Sequence, residues 1–146
     1  MNVYISSSWK NREAVRSMAL ALKTQGHTVY DFTDPTCRKT PEIPPEKYPE
    51  PFDPAKQSYE DYLDKPEWRA AVIENRAALD RCDVMVLLLP CGNDGHADWA
   101  YAVGRGKRSV VVGYPKPGDR SPTHMWADTI LETQTGVLAW LQLIGG

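Results

Sequence analysis

The sequence has no long hydrophobic run. Its apolar stretches fall far short of the ~18 residues a membrane span requires, so a membrane partner is not expected. It also lacks an excess of charge: 17 Lys and Arg face 19 Asp and Glu, for a net charge of −2. Nothing in that balance suits a polyanion such as duplex nucleic acid. Cysteine is scarce. Cys37, Cys82 and Cys91 form an odd set without metal-ligand spacing, which argues against a disulfide framework or a zinc site. With no signal peptide in view, they read as free thiols in a reducing compartment, and a cytoplasmic location is expected. The three histidines are scattered and suggest no metal centre. No G-x-G-x-x-G turn, no P-loop and no G-x-S-x-G elbow occurs.

The 146 residues are 42% hydrophobic and 25% charged, ordinary for a soluble protein with a normal core. One domain spanning 1–146 is expected.

The stretch Cys82 to Gly106 organises the chain. Val84 to Leu89 is unbroken apolar sequence bounded by Asp83 and Pro90. It predicts a strand covered on both faces. Pro90, Gly92 and Gly95 then predict a loop. A helix is expected from near His96 to Gly104 or Gly106, with Asp98 in its first turn. A carboxylate there is either a working group or a partner of the helix dipole.

Val3 to Ile5 predicts an opening strand, and Arg12 to Thr24 a helix whose Val15, Met18, Ala19 and Leu22 recur at helical spacing. His27 to Phe32 reads as a second strand. Strand–helix–strand at this spacing implies a parallel pair. Asp34 to Ser58 holds seven prolines, too many for a regular helix or strand. It reads as a lid or a disordered segment, with Tyr48, Phe52 and Tyr59 as candidate anchors. One or two turns over Tyr59 to Leu63 follow. A helix then opens at Pro66 and runs to about Arg81. Arg108 to Gly113 is a fourth strand, Thr129 to Glu132 a weak fifth, and Thr135 to Ile144 a closing amphipathic helix.

This alternation predicts a three-layer, doubly wound α/β fold with a flavodoxin-like parallel sheet in the order 2-1-3-4-5 and a proline-rich insert after strand two. The ends of strands one and three then meet. Ser6 to Trp9 and Gly92 to Asp98 should line one cleft, with Asp31 and Phe32 on its far side. Gly92-Asn93-Asp94-Gly95 is either a phosphate cradle at a helix N-terminus or a plain strand-to-helix turn. Ser6 to Ser8 offer a nucleophile or, more simply, satisfy backbone groups at a strand end. Trp9 and Trp126 are candidates for stacking on a flat ring or for rim packing.

Val3-Tyr4-Ile5-Ser6-Ser7-Ser8-Trp9, His96-Ala97-Asp98-Trp99-Ala100-Tyr101-Ala102 with Gly104-x-Gly106-Lys107, and Met125-Trp126-Ala127-Asp128 resemble three stretches of the nucleoside 2-deoxyribosyltransferase-like superfamily. Tyr30-Asp31-Phe32 and Leu89-Pro90-Cys91-Gly92 resemble an uncharacterised bacterial and phage branch of it. The resemblance implies that Asp98 is the catalytic carboxylate, that Tyr4 orients it, and that Met125 lines the site. The family's residue at the place of Asp98 is normally glutamate, one methylene longer. Asn75 stands where many members carry an aspartate that helps hold the base.

The implied activity is cleavage or transfer at the N-glycosidic bond of a nucleoside or nucleotide, with no metal and no cofactor. Beside Asp98 and Tyr4, the binding candidates are Ser6, Ser7, Trp9, Asp31, Phe32, Asn75, Gly92, Asn93, His96 and Met125. Trp9, Phe32 and Met125 would wall the base. Ser7, Gly92 and Asn93 would hold the sugar or a 5′-phosphate. A non-catalytic nucleotide sensor and an NAD-cleaving effector of the Toll/interleukin-receptor kind are the alternatives. A homo-oligomer is expected from the resemblance.

Overall fold

Five short runs of β-branched and aliphatic residues, each closed by a polar or turn residue, form a single parallel sheet. The structure, a computed structural model, describes residues 1–39 and 49–145. The strands are β1 (Asn2–Ser6), β2 (Thr28–Asp31), β3 (Val84–Leu88), β4 (Arg108–Val112) and β5 (Thr129–Leu131). Their order is β2-β1-β3-β4-β5, all parallel. This is the order and direction that the alternation of strand and helix patterns implies.

The helices are α1 (Arg12–Thr24), α2 (Tyr59–Leu63), α3 (Pro66–Arg81), α4 (Asn93–Gly104) and α5 (Gln134–Gly145). Side chains alternate across a strand, so β3 feeds both layers. Val84, Val86 and Leu88 point to one face, where they join Val3, Ile5 and Val110 under Val15, Met18 and Leu22 of α1 and Val137 and Leu141 of α5. Met85, Leu87 and Leu89 point to the other face, against Ala78 and Leu79 of α3 and Trp99 and Ala102 of α4. Each large side chain so buried contributes about 1.5–3 kcal/mol. The continuous apolar run of β3 is thus explained by cover on both sides. No helix among the described residues is long and apolar enough to cross a membrane.

One expectation is corrected. The helix after β3 does not start near His96; α4 begins at Asn93, with Gly92 as its extended N-cap. The glycines do not hold the chain in a loop. Gly95 belongs to the first turn, and a Cβ there would meet Cys91 Sγ at 2.1 Å and Ser6 Oγ at 2.9 Å. Close approach of the helix to the end of β1 therefore decides that residue, over its poor helix propensity. Asp94, not Asp98, is the acid of the first turn. Asp98 sits in the second turn, where the dipole has largely faded.

The described parts of the proline-rich segment are short and irregular. Pro35–Cys37 makes one 3₁₀ turn, capped by Asp34, whose Oδ1 accepts from the Thr36 amide. Lys23 Nζ pairs with Asp34 at 2.8 Å and ties this turn to α1. At the far end, Phe52 packs edge-on against Tyr59, and Tyr62 lies edge-on to Trp68 of α3. Phe52 and Tyr59 thus pack in an aromatic cluster that reaches α3. Tyr48 lies outside the described residues.

Candidate active site

The carboxyl end of β1 supplies the floor. Ser6 Oγ donates to Gly95 O at 3.1 Å, and Ser7 Oγ donates to Leu88 O at 2.7 Å. Ser8 Oγ accepts from the Lys10 amide at 3.2 Å. All three hydroxyls thus serve backbone groups, as the simpler reading of the serine run expects. Ser7 staples the end of β1 to β3 and Ser6 staples it to α4, which fixes the cleft between them, while Ser8 caps the turn that follows. The Asn11 side-chain amide adds bonds to Ser7 Oγ and Leu89 O.

Tyr4 is central to this floor. Its ring is 2% exposed and stacks on Tyr30 with centroids 4.8 Å apart and planes 19° apart. The stacking follows from register, since Tyr4 pairs directly with Tyr30 across β1 and β2. The Tyr4 hydroxyl donates to Asp98 Oδ2 at 3.0 Å. Burial first, then the charge of Asp98 and the presence of Tyr30, hold the Tyr4 pKa well above its ordinary value of 10. Tyr4 is therefore a fixed proton donor through the neutral range, with Asp98 as its acceptor.

The cleft around this pair has a volume of about 310 Å³. Of the residues singled out from the sequence, Tyr4, Ser6, Ser7, Trp9, Phe32, Asn75, Gly92, Asn93 and Asp98 line it. Trp9 meets Phe32 edge-on at 5.3 Å, forming an aromatic wall. Three others lie elsewhere. Asp31 is buried, and its Oδ1 accepts from the Thr33 amide, so it shapes the turn after β2. His96 faces a neighbouring cavity of about 560 Å³ on the other side of α4. Met125 is 79% exposed and lines neither space.

No protein-family model matches the chain, and no curated protein sequence matches it. Solved structures do. A 2-deoxyribosyltransferase from Bacillus psychrosaccharolyticus superposes with a TM-score of 0.61 at 14% identity, over 94% of this chain and 90% of that one. The Clostridium botulinum CMP N-glycosidase BcmB superposes with a TM-score of 0.52 at 15% identity, over 99% of each chain. The chain has the 2-deoxyribosyltransferase fold.

At that identity the likeness concerns the fold, and the chemistry rests on the side chains of this chain. On this 2-deoxyribosyltransferase fold, four features of the site were not singled out from the sequence. Tyr30 donates its hydroxyl to Asn75 Oδ1 at 2.9 Å. Arg38, 8% exposed, donates from Nη1 to both Tyr30 Oη and Asn75 Oδ1 at 2.8 Å. Cys91 packs under Gly95, and burial, then the Asp98 charge, push its thiol up to about 12. It is a protonated packing group rather than a nucleophile. His124 stacks on His96 at 5.1 Å with their Nε2 atoms 2.9 Å apart. Of these, Tyr30 and Cys91 stand in stretches that carry the family resemblance, Tyr30-Asp31-Phe32 and Leu89-Pro90-Cys91-Gly92; Arg38 and His124 carried no sequence signal.

Proposed function

We propose that the protein cleaves or transfers at the N-glycosidic bond of a nucleoside or nucleotide, with Asp98 as the carboxylate under C1′. The observation that carries this reading is the Tyr4–Asp98 hydrogen bond of 3.0 Å at the floor of an aromatic-walled cleft. The two superposed enzymes support it, because one is a deoxyribosyltransferase and the other a nucleotide N-glycosidase.

The chemistry follows from the groups present. Departure of the base takes the bonding pair from C1′ and leaves an oxocarbenium-like sugar. The Tyr4 hydroxyl donates to one oxygen of Asp98 and orients the carboxylate, an oxygen of which meets C1′. Attack by that oxygen forms a glycosyl ester. Water or a second base then displaces Asp98 and completes hydrolysis or transfer. Trp9 and Phe32 supply a wall for a planar base. Gly92 and Asn93, at the opening of α4, lie beside the space for the sugar and its 5′ group.

Incubation with nucleosides, 2′-deoxynucleosides, nucleoside 5′-monophosphates and NAD, with free base followed by chromatography, tests the proposal. Wild type should release base from at least one member. Asp98→Ala and Asp98→Asn should abolish release and keep the wild-type circular dichroism. A short carboxylate favours one rival, a sensor that holds its ligand intact. Melting-temperature shifts with no base released from any panel member would establish that rival and overturn the enzyme.

A further inference from the structure

We infer that the larger cavity, on the other side of α4 from Asp98, is a second ligand site, which takes a doubly charged tetrahedral anion of the phosphate kind together with one proton held by the His96–His124 pair. This site stands whether or not the cleft cleaves its ligand. The cavity has a volume of about 560 Å³, within the ~300–1,000 Å³ of small-molecule sites.

Hydrogen-bond direction fixes how many protons the pair holds. His96 Nδ1 lies 2.8 Å from Gly92 O. A carbonyl only accepts, so Nδ1 carries a hydrogen, and in the neutral ring Nε2 is bare. His124 Nε2, 2.9 Å away, must then be the donor to it. The neutral pair keeps one open base, His124 Nδ1. A proton there makes His124 an imidazolium whose Nε2–H still bonds the neutral His96. A second proton would put hydrogens on both Nε2 atoms and force them apart. In this geometry the pair carries one positive charge or none.

The surroundings make that charge decisive. Asp119 and Arg120, on the loop after β4, line the cavity and cancel in formal charge. Cys91, at the end of β3, also lines it, but burial first, and then the charge of Asp98, hold its thiol protonated. Asp94 and Asp98 share α4 with His96 but line the cleft instead. The cavity is therefore neutral when the pair is neutral and positive when the pair is protonated. Burial, then His96, lowers the His124 pKa from its ordinary 6.5, so without an anion the pair is mostly neutral at pH 7. A bound anion favours the charged form and draws the proton in.

The same wall suits an oxyanion. Arg120 offers a fork of donors. The Ser121 and Thr123 hydroxyls bond each other at 2.8 Å, which uses one of their two hydrogens and leaves the other for a ligand. Trp99 and Trp126 also line this cavity, with planes 11° apart, and supply apolar surface for the organic part of a monoester.

The probe is sulfate, which stays a dianion between about pH 5 and 8, whereas a phosphate monoester titrates at about 6. Calorimetric titration at pH 6 and pH 8, at constant ionic strength and in buffers of different ionisation enthalpy, gives affinity and proton uptake together. One sulfate per chain should bind about tenfold more tightly at pH 6, with uptake of up to one proton. His124→Gln should abolish both the pH dependence and the uptake. Arg120→Gln, at an exposed position, should weaken binding about tenfold at both pH values. Competition distinguishes the sources of the anion. Equal displacement of sulfate by inorganic phosphate and by nucleoside 5′-monophosphates assigns the site to the free ion, and a clear advantage of the monophosphate assigns it to the ester.

No sulfate binding, equal affinity at the two pH values, or binding unchanged in both folded variants overturns the site. Displacement of sulfate by a nucleoside without phosphate also overturns it. If His124→Gln does not fold, wild-type proton uptake and the Arg120→Gln titration decide.

Discussion

Replacing Gly95 by alanine tests the packing that aims α4 at the cleft. Gly95 is buried in the first turn of the helix. An added Cβ would lie 2.1 Å from Cys91 Sγ, 2.9 Å from Ser6 Oγ and 3.4 Å from the Ser7 carbonyl oxygen. The Cys91 thiol can rotate away. Ser6 cannot do so freely, since its hydroxyl is buried and bonded to Gly95 O at 3.1 Å. The helix must then back away from β1. In an unobstructed helix, glycine to alanine gains about 1 kcal/mol. Overpacking a tight site costs about 1–3 kcal/mol. The net expectation is a loss of about 1 kcal/mol, or about 2–4 °C in Tm for a chain of this size.

Cys91→Ala removes the worst contact. In that background Gly95→Ala should cost about 1 kcal/mol less, a coupling that a double-mutant cycle reads directly. Four thermal melts by circular dichroism at pH 7 suffice. Gly95→Ala should also slow base release, because Asp98 rides on the same helix and a shift of about 1 Å is worth on the order of a hundredfold in rate. A single mutant more stable than wild type by the full propensity gain, with additive behaviour in the cycle, would refute the close approach of α4 to β1.

Tyr4→Phe keeps the ring stacked on Tyr30 but removes the donor to Asp98; base release should fall about 10- to 100-fold with little change in the far-ultraviolet spectrum, and unchanged kcat/KM would dismiss Tyr4 as an orienting group. The pKa of His124 is lowered from its ordinary 6.5 by burial and then by the charge of His96, and that of His27 by burial and the N-terminal charge. Both are depressed in the folded state, so the unfolded chain takes up protons first as pH falls. Stability is full above about pH 6.5 and declines below it. Melts from pH 7.5 to 5 should show that decline, and His124→Gln should flatten part of it; equal slopes in the two proteins would show that His124 does not contribute.

What the sequence alone determined is the architecture. Short β-branched runs alternating with helical periodicity leave few options for strand direction and order, because strand–helix–strand units wind one way. The unbroken Val84 to Leu89 run marks the strand with cover on both faces. The sheet order brings the ends of β1 and β3 together, and it was the family resemblance of the flanking stretches that singled out Tyr4 and Asp98 there.

What only the tertiary structure decided is how the site is wired. Gly92 to Gly95 reads locally as a loop, yet it caps and opens α4 because packing against Cys91 and Ser6 outweighs propensity. His96 sits two residues from Asp98 but on another side of the helix, as a 200° step along an ideal helix requires. Asp31 turns to its own backbone. Arg38 comes from a proline-rich segment that has no periodicity, so nothing local announces that its guanidinium folds back onto Tyr30 and Asn75. Hydrogen-bond direction belongs to three-dimensional neighbours: the sequence holds an asparagine, and only the donor-only arginine beside it decides that its oxygen is the end held by Arg38 and Tyr30.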